Sequence, residues 1–268
     1  MAVLTISREF GSGGREVGQG IVQQLGYEYL NRERFLKEVA ALGKKWEQWG
    51  TGYDEHAPTL WEKHDWSFRG FAALTRSILL AYAVRDNAVL MERGGNILLK
   101  NVPHVLRIRV IAPQQARLNR VMIRESVDQD TAQWLIERTD HERSSFIRAL
   151  FGKEWDDPEE FDAVFTTGDQ PIDDVVASVC QTLQRRDLLK TDEVQRELML
   201  HAQAAKLEAG LFTYPYLFVN TLEVTVERGM LVLRGVVRDP KHKKRVEDAA
   251  TALAGGLRVK FKLHYRVE

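Results

Sequence analysis

The chain has 268 residues with 38 basic and 38 acidic side chains, 44 % apolar residues and a single cysteine. That length holds one large domain or one medium and one small, and the apolar share excludes wholesale disorder. Zero net charge removes any general case for nucleic acid or an acidic membrane, and one cysteine excludes an internal disulfide. Cys180 itself reads as a small core residue on an apolar helix face. The N-terminus shows no basic region followed by a long apolar stretch, and the longest apolar run, near Ile78–Val84, is too short to cross a membrane. Together these set the expectation of a cytoplasmic protein.

Val3–Ser7 reads as a buried strand, followed by a glycine-rich stretch. Val17, Ile21 and Leu25 then recur on one helix face, with Gly26 placed to end the helix. A second strand is expected at Tyr27–Leu30 and a helix over Phe35–Leu42. Residues 46–66 carry four tryptophans among charges without a clean period, which predicts an irregular helical insertion. Phe68–Val84 reads as a helix, Ala88–Met91 and Val105–Ile111 as buried strands, and Gln114–Glu125 as a helix. Arg117, Arg120 and Arg124 share one face of that helix. Asp130 with Gln133 resembles a capping box for a helix reaching Leu150. A short strand at Asp162–Phe165 and a helix opened by Pro171 close this part. Strands separated by helices imply an α/β fold, a parallel sheet with helices on both faces.

Beyond a charged linker the texture changes. A helix near Glu193–Glu208 precedes two alternating runs around Glu227-Arg228-Gly229, a β-hairpin pattern. Asp239-Pro240 starts another helix, and Leu257–Val267 alternates as a last strand. The expected division is therefore a domain over 1–188 and a small αββαβ domain over 192–268.

The stretch Arg8-Glu9-Phe10-Gly11-Ser12-Gly13-Gly14-Arg15-Glu16 lies between a strand and a helix. Glycines there let backbone N–H groups converge, and the helix start adds partial positive charge, so Gly11, Ser12, Gly13, Gly14, Arg15 and Glu16 are candidates to cradle a phosphate. The alternative is a structural turn with no ligand. The Walker A pattern requires Lys and then Ser/Thr after its second glycine. Here those two places hold Gly14 and Arg15, and Arg15 is the candidate for the missing positive charge.

The run from Ile6 to Gly18 resembles the opening of the cytidylate-kinase-like family, a branch of the P-loop nucleoside-monophosphate kinases with a modified P-loop. Further blocks are similar to that family in order: Tyr29-Leu-Asn-Arg32, Val89-Leu-Met-Glu-Arg-Gly-Gly95, Arg120 through Arg143, and Phe161 to Gly168. The resemblance covers residues 2–185 and departs from the family at Asn31 and Glu92. It implies ATP-dependent phosphoryl transfer to a pyrimidine nucleoside monophosphate such as CMP or dCMP, with Mg²⁺ carried mostly by the nucleotide. It implies Arg15, Arg120, Arg124 and Arg143 as catalytic or lid groups, and Arg32, Arg93 and Asp140 as contacts to the acceptor. Asp140 either touches the acceptor or orients a lid arginine, Arg117 reads as a solvated residue, and Asp162 as strand-end structure. The missing Lys and Ser/Thr leave a second reading open, a catalytically silent nucleotide-binding regulator. Trp46, Trp49, Tyr53, Trp61 and Trp66 either stack on a base or form a local hydrophobic cluster.

The segment Val224 to Gly235, with the helix and strand after it, resembles a BON-type domain. That implies contact with a partner protein or anionic lipid. From Arg228 to Glu268 there are 11 basic and 4 acidic residues, and Arg258, Lys260, Lys262, His264 and Arg266 fall on one side of the last strand. A charge-protected outer sheet face explains the same pattern.

Overall fold

A computed structural model of the chain describes residues 2–52, 65–91 and 94–266. The readings that fall on Tyr53, Trp61, Glu92 and Arg93 lie outside the described residues. The chain forms two compact units, Met1–Thr59 with Arg85–Thr191, and Leu60–Val84 with Asp192–Glu268.

The first unit is built on five parallel strands: β1 (Val3–Arg8), β2 (Glu28–Leu30), β3 (Ala88–Leu90), β4 (Val105–Ile111) and β5 (Ala163–Thr166). Their order is β2-β3-β1-β4-β5. This bears out the parallel α/β sheet. Alternation within β1 decides its two faces. Leu4 and Ile6 join Val17 and Ile21 of α1 (Gly14–Leu25) and Val175, Val179 and Leu183 of α8 (Ile172–Asp187) in one core cluster. Thr5 points the other way, onto Gly95 at the start of the short helix α5 (Gly95–Leu98). Cys180 sits in the first cluster at 3 % exposure, and burial pushes its thiol pKa up, as expected of a core residue.

Helices α1 and α8 approach closely because Gly20 has no side chain. A Cβ there would lie 2.8 Å from Val176 Cγ2. Gly20→Val is expected to destabilise the protein by about 2–3 kcal/mol through overpacking, measured as a lower urea midpoint at unchanged slope. An unchanged midpoint would show that the two helices separate freely.

β4 carries Arg107 and Arg109 on the Thr5 face, in register with Thr5 and Ser7. Both are buried, at 7 % and 6 % exposure. Arg107 forks onto Asp162, with Nε 3.2 Å from Oδ2 and Nη2 2.8 Å from Oδ1. Burial raises the Asp162 pKa, but hydrogen bonds and charge from Arg107 outweigh it and hold the carboxyl below its usual range. Asp162 is thus strand-end structure. Arg109 donates to Trp155 O (3.0 Å) and lies over the Trp155 ring.

The sheet is completed by α2 (Arg32–Ala40), α3 (Lys44–Gly52), α6 (Gln114–Glu125) and α7 (Gln129–Phe151). Two local readings change. The irregular insertion opens with a regular helix, α3, on which Trp46 is buried. The capping residue of α7 is Asp128, not Asp130: its Oδ1 accepts from Thr131 N at 2.8 Å.

The second unit contains α4 (Trp66–Arg85), α9 (Asp192–Thr213), the hairpin β6 (Asn220–Glu227) and β7 (Met230–Val237), α10 (Pro240–Leu253) and β8 (Val259–Tyr265). β6 and β7 are antiparallel, while β8 joins β7 in parallel. The expected 1–188 and 192–268 domains are contiguous in sequence; the compact units are not, because α4 groups with the C-terminal part. The reason is visible in its contacts. Trp66 Nε1 donates to Phe212 O (3.1 Å), Arg69 Nη2 to Leu222 O (2.9 Å), and Arg76 pairs with the nearly buried Glu208 at 3.1 Å. Trp66 also packs on Phe212 and Phe218. Among the described residues no helix is long and apolar enough to cross a membrane.

Candidate functional site

β1 runs out of the sheet at Arg8 and the chain reverses through Glu9–Gly13 into α1. Two positions of this turn need a left-handed backbone, Gly11 (φ 78°) and Gly13 (φ 82°). Gly13 is the N-cap of α1 and supplies no side-chain cap. A helix cannot satisfy its own first-turn N–H groups, here those of Gly14, Arg15 and Glu16. They gather, with the helix dipole, where an anion is favoured. Among the described residues the buried Ser12 Oγ meets no hydrogen-bond partner. A glycine cradle with an uncapped helix start fits a phosphate chain.

The loop opens on a cleft of about 590 Å³ at the C-terminal end of the strands, where open α/β sheets bind ligands. All six loop candidates, Gly11, Ser12, Gly13, Gly14, Arg15 and Glu16, line it. So do Arg32, Arg124 and Arg143, with Arg8, Tyr29 and Asn31. Arg15 and Glu16 are exposed within it. Arg32 is the first residue of α2, and Asn31 is that helix's cap, its Oδ1 accepting from Arg34 N at 2.9 Å. Asn in place of the family's Asp therefore keeps a side chain that caps equally well. Arg124 lies over the Phe10 ring at 4.5 Å and pairs with Glu125. Arg143 donates to Arg8 O at 2.7 Å.

Two of the remaining candidates, Arg120 and Asp140, stand elsewhere. Arg93 is outside the described residues. Arg120, expected in a closing lid, lies beneath the loop, with Nη1 donating to Thr167 Oγ1 (2.9 Å) and Gly11 O (3.3 Å). Thr167 in turn donates to Ser12 O. Asp140 does not line the cleft: its Oδ1 accepts from Phe10 N (2.8 Å) and its other oxygen pairs with Arg117. These contacts tie Asp140 to the backbone of the loop and to Arg117 on α6.

Arg117 is the clearest departure from the sequence reading. It is not solvated but 11 % exposed, with Nε donating to Phe10 O (2.8 Å) and Nη1 3.5 Å from Glu9. Its partners come from far along the chain, so spacing on α6 alone placed it no better than its neighbours. The other residue missed as a candidate is Arg8. The signal was present, an arginine where the Walker pattern has its first glycine.

Sheet order and strand–loop–helix turn define a fold of the P-loop kinase type. The chain belongs to the cytidylate kinase-like family, which it matches over residues 3–169. Among solved structures it is similar to an uncharacterized protein from Eubacterium ventriosum ATCC 27560, at 19 % identity over 69 % of this chain and 99 % of that one, with a TM-score of 0.53. That likeness concerns the fold alone. It is also similar to a shikimate kinase from Acinetobacter baumannii in complex with shikimate, at 14 % identity over 70 % and 96 % of the two chains and a TM-score of 0.42. A uronate isomerase from Corynebacterium glutamicum is 31 % identical over 112 residues, 42 % of this chain. The chain spans 21 % of that curated relative's length.

Proposed function

We propose that this protein transfers the γ-phosphate of ATP to a pyrimidine nucleoside monophosphate of the CMP or dCMP kind. The observation that carries the reading is the uncapped start of α1, held open by Gly11 and Gly13 at the floor of an arginine-lined cleft. Phosphoryl transfer asks chiefly for alignment and for positive charge around the transferring group. Arg15, Arg124 and Arg143 are assigned to that charge, and Arg32 to the acceptor's phosphate or base. Position 15 offers no hydroxyl to a metal, and among the described residues no group of acidic or histidine side chains is arranged to hold one. Mg²⁺ is therefore assigned to the nucleotide's own phosphates and water. Family membership supports kinase chemistry, and the acceptor base rests on the sequence resemblance.

A coupled assay of ATP–Mg²⁺ with CMP, dCMP, UMP and AMP tests this, with turnover expected for the cytidine nucleotides first. Arg15→Ala is expected to leave stability within about 0.5 kcal/mol, because the side chain is exposed. The same change is expected to weaken ATP about 10- to 100-fold, the worth of a charged hydrogen bond to phosphate. Calorimetry that finds equal affinity in both proteins removes Arg15 from the site.

Gly14 and Arg15, standing where Lys and Ser/Thr are the rule, favour a second reading, a nucleotide-binding regulator without turnover. Heat of ATP binding with no product from any acceptor would select it. For the second unit we infer a surface for a partner protein or anionic lipid, supported by the BON-like pattern and by exposed Arg258, Lys260, His264 and Arg266. Lys262, on the same side, is taken up by Glu227 at 2.9 Å. Co-sedimentation of the full chain with anionic vesicles at low salt tests the lipid half of that reading.

A further inference from the structure

The nucleotide site contains an exchange of two residue types. The Walker pattern reads Gly, four residues, Gly, Lys. This chain reads Arg8, four residues, Gly13, Gly14. Against that pattern, an arginine stands at the first glycine's place and a glycine at the lysine's.

The two differences share one space. A Cβ built on Gly14 would lie 2.8 Å from Arg8 Cβ, 3.0 Å from its Cδ and 3.4 Å from its Cγ. The arginine stem thus runs across the face of Gly14, through the space where a side chain at position 14 would begin. Gly14 does not have a left-handed backbone. Its lack of a side chain answers to crowding by Arg8, not to backbone conformation. One long side chain fits there, from position 8 or from position 14, but not both.

Arg8 ends β1 and lines the cleft, and its Nη1 donates to Met91 O at 2.8 Å, just past the end of β3. Its charge therefore stands at the ligand-binding edge of two adjacent strands, beside the first turn of α1. A guanidinium has five donors in a planar fork suited to phosphate oxygens, whereas an ammonium is a point charge.

We propose that Arg8 is the phosphate-binding cation of this loop, doing from the end of β1 what a lysine at position 14 does in the Walker pattern. The ligand class is the terminal phosphates of a nucleoside triphosphate. The proposal deepens the nucleotide-binding reading and rests on it.

The test uses the full chain, with inorganic triphosphate and ATP–Mg²⁺ as calorimetric probes and the coupled assay for turnover. Arg8→Ala is expected to lower triphosphate affinity at least about tenfold and kcat about 100-fold, the usual loss of one charge-stabilising donor. Arg8→Lys is expected to fall between. Gly14→Lys alone is expected to lose activity, because the stem of Arg8 fills its space. The double variant Arg8→Gly with Gly14→Lys is expected to regain at least about tenfold over Arg8→Ala in affinity and kcat. A purely structural Arg8, acting through its bond to Met91 O and its other contacts, predicts no such rescue, since a lysine at position 14 does not restore them. Unchanged triphosphate affinity in Arg8→Ala overturns the proposal, as does a folded double variant no better than Arg8→Ala. If the unaltered protein binds triphosphate yet phosphorylates no acceptor, the kinase reading fails while the affinity series still decides Arg8. If it binds neither probe, both fall.

Discussion

Arg117→Met is expected to destabilise the protein by about 3–5 kcal/mol, the cost of removing one member of a buried, hydrogen-bonded ion pair. The side chains are 11 % and 18 % exposed for Arg117 and Asp140, so solvent screening reduces this little. Without the guanidinium, Phe10 O and one Asp140 oxygen lose their donor together, while the other Asp140 oxygen keeps Phe10 N and an Arg143 nitrogen at 3.7 Å; both residues border the glycine-rich turn. The loss is therefore expected in two readouts, the urea midpoint and the affinity for ATP. Asp140→Leu alone strips Phe10 N as well, since that group donates to Asp140. The double variant is expected to cost less than the sum of the singles by about 1–3 kcal/mol, because the two residues form one network. Arg124→Ala serves as the contrast. Its partner Glu125 is 41 % exposed and adjacent in sequence, so a cost below about 1 kcal/mol is expected. If Arg117→Met costs no more than Arg124→Ala, Arg117 is not what holds the loop.

What could be read from the sequence, and what could not, divides along physical lines. β1, its loop and α1 were legible because strand, glycines and helix stripe are consecutive, and Gly26 ends α1 as its position suggests, with φ 67°. The Asp239-Pro240 start of α10 was legible for the same reason, and Asp239 accepts from His242 N at 2.7 Å. Partners distant in sequence were not. The spacing of Arg117, Arg120 and Arg124 puts them on one face but does not say what that face meets. Two of them meet loop carbonyls 107 and 109 residues away. Arg107 and Arg109 alternate with Leu106, Ile108 and Val110 on a strand buried on both faces, and Asp162 and Trp155 explain how two arginines are tolerated there. The allegiance of α4 was hidden by its own composition. Residues 70–75 are buried without a break, and a helix apolar all round announces burial without naming its neighbour. The start of α7 slipped because Asp128 and Asp130 both suit a cap, and only the hydrogen bond to Thr131 separates them.

The glycines of the loop allow a sharper test than deletion of charge. Gly11→Ala is expected to cost about 3 kcal/mol, combining two effects of different origin. The backbone at φ 78° disfavours any Cβ by about 1–2 kcal/mol. That Cβ would also sit 2.9 Å from Arg117 O and 2.9 Å from Val121 Cγ2. The carbonyl belongs to the backbone of α6, so neither helix nor loop can yield without shifting the turn, at a further cost of about 1–3 kcal/mol. Gly26→Ala isolates the first effect. Its φ is 67°, and a Cβ there meets nothing within 4 Å. It should lose only the conformational part, about 1–2 kcal/mol, and leave ATP affinity unchanged. Gly11→Ala should additionally weaken ATP by tenfold or more, because the shift moves N–H groups out of line with the phosphates. Denaturation and calorimetry on the two variants side by side decide the matter. Equal losses of stability, with affinity intact in both, would mean that the close packing of loop on α6 has no part in building the anion cradle.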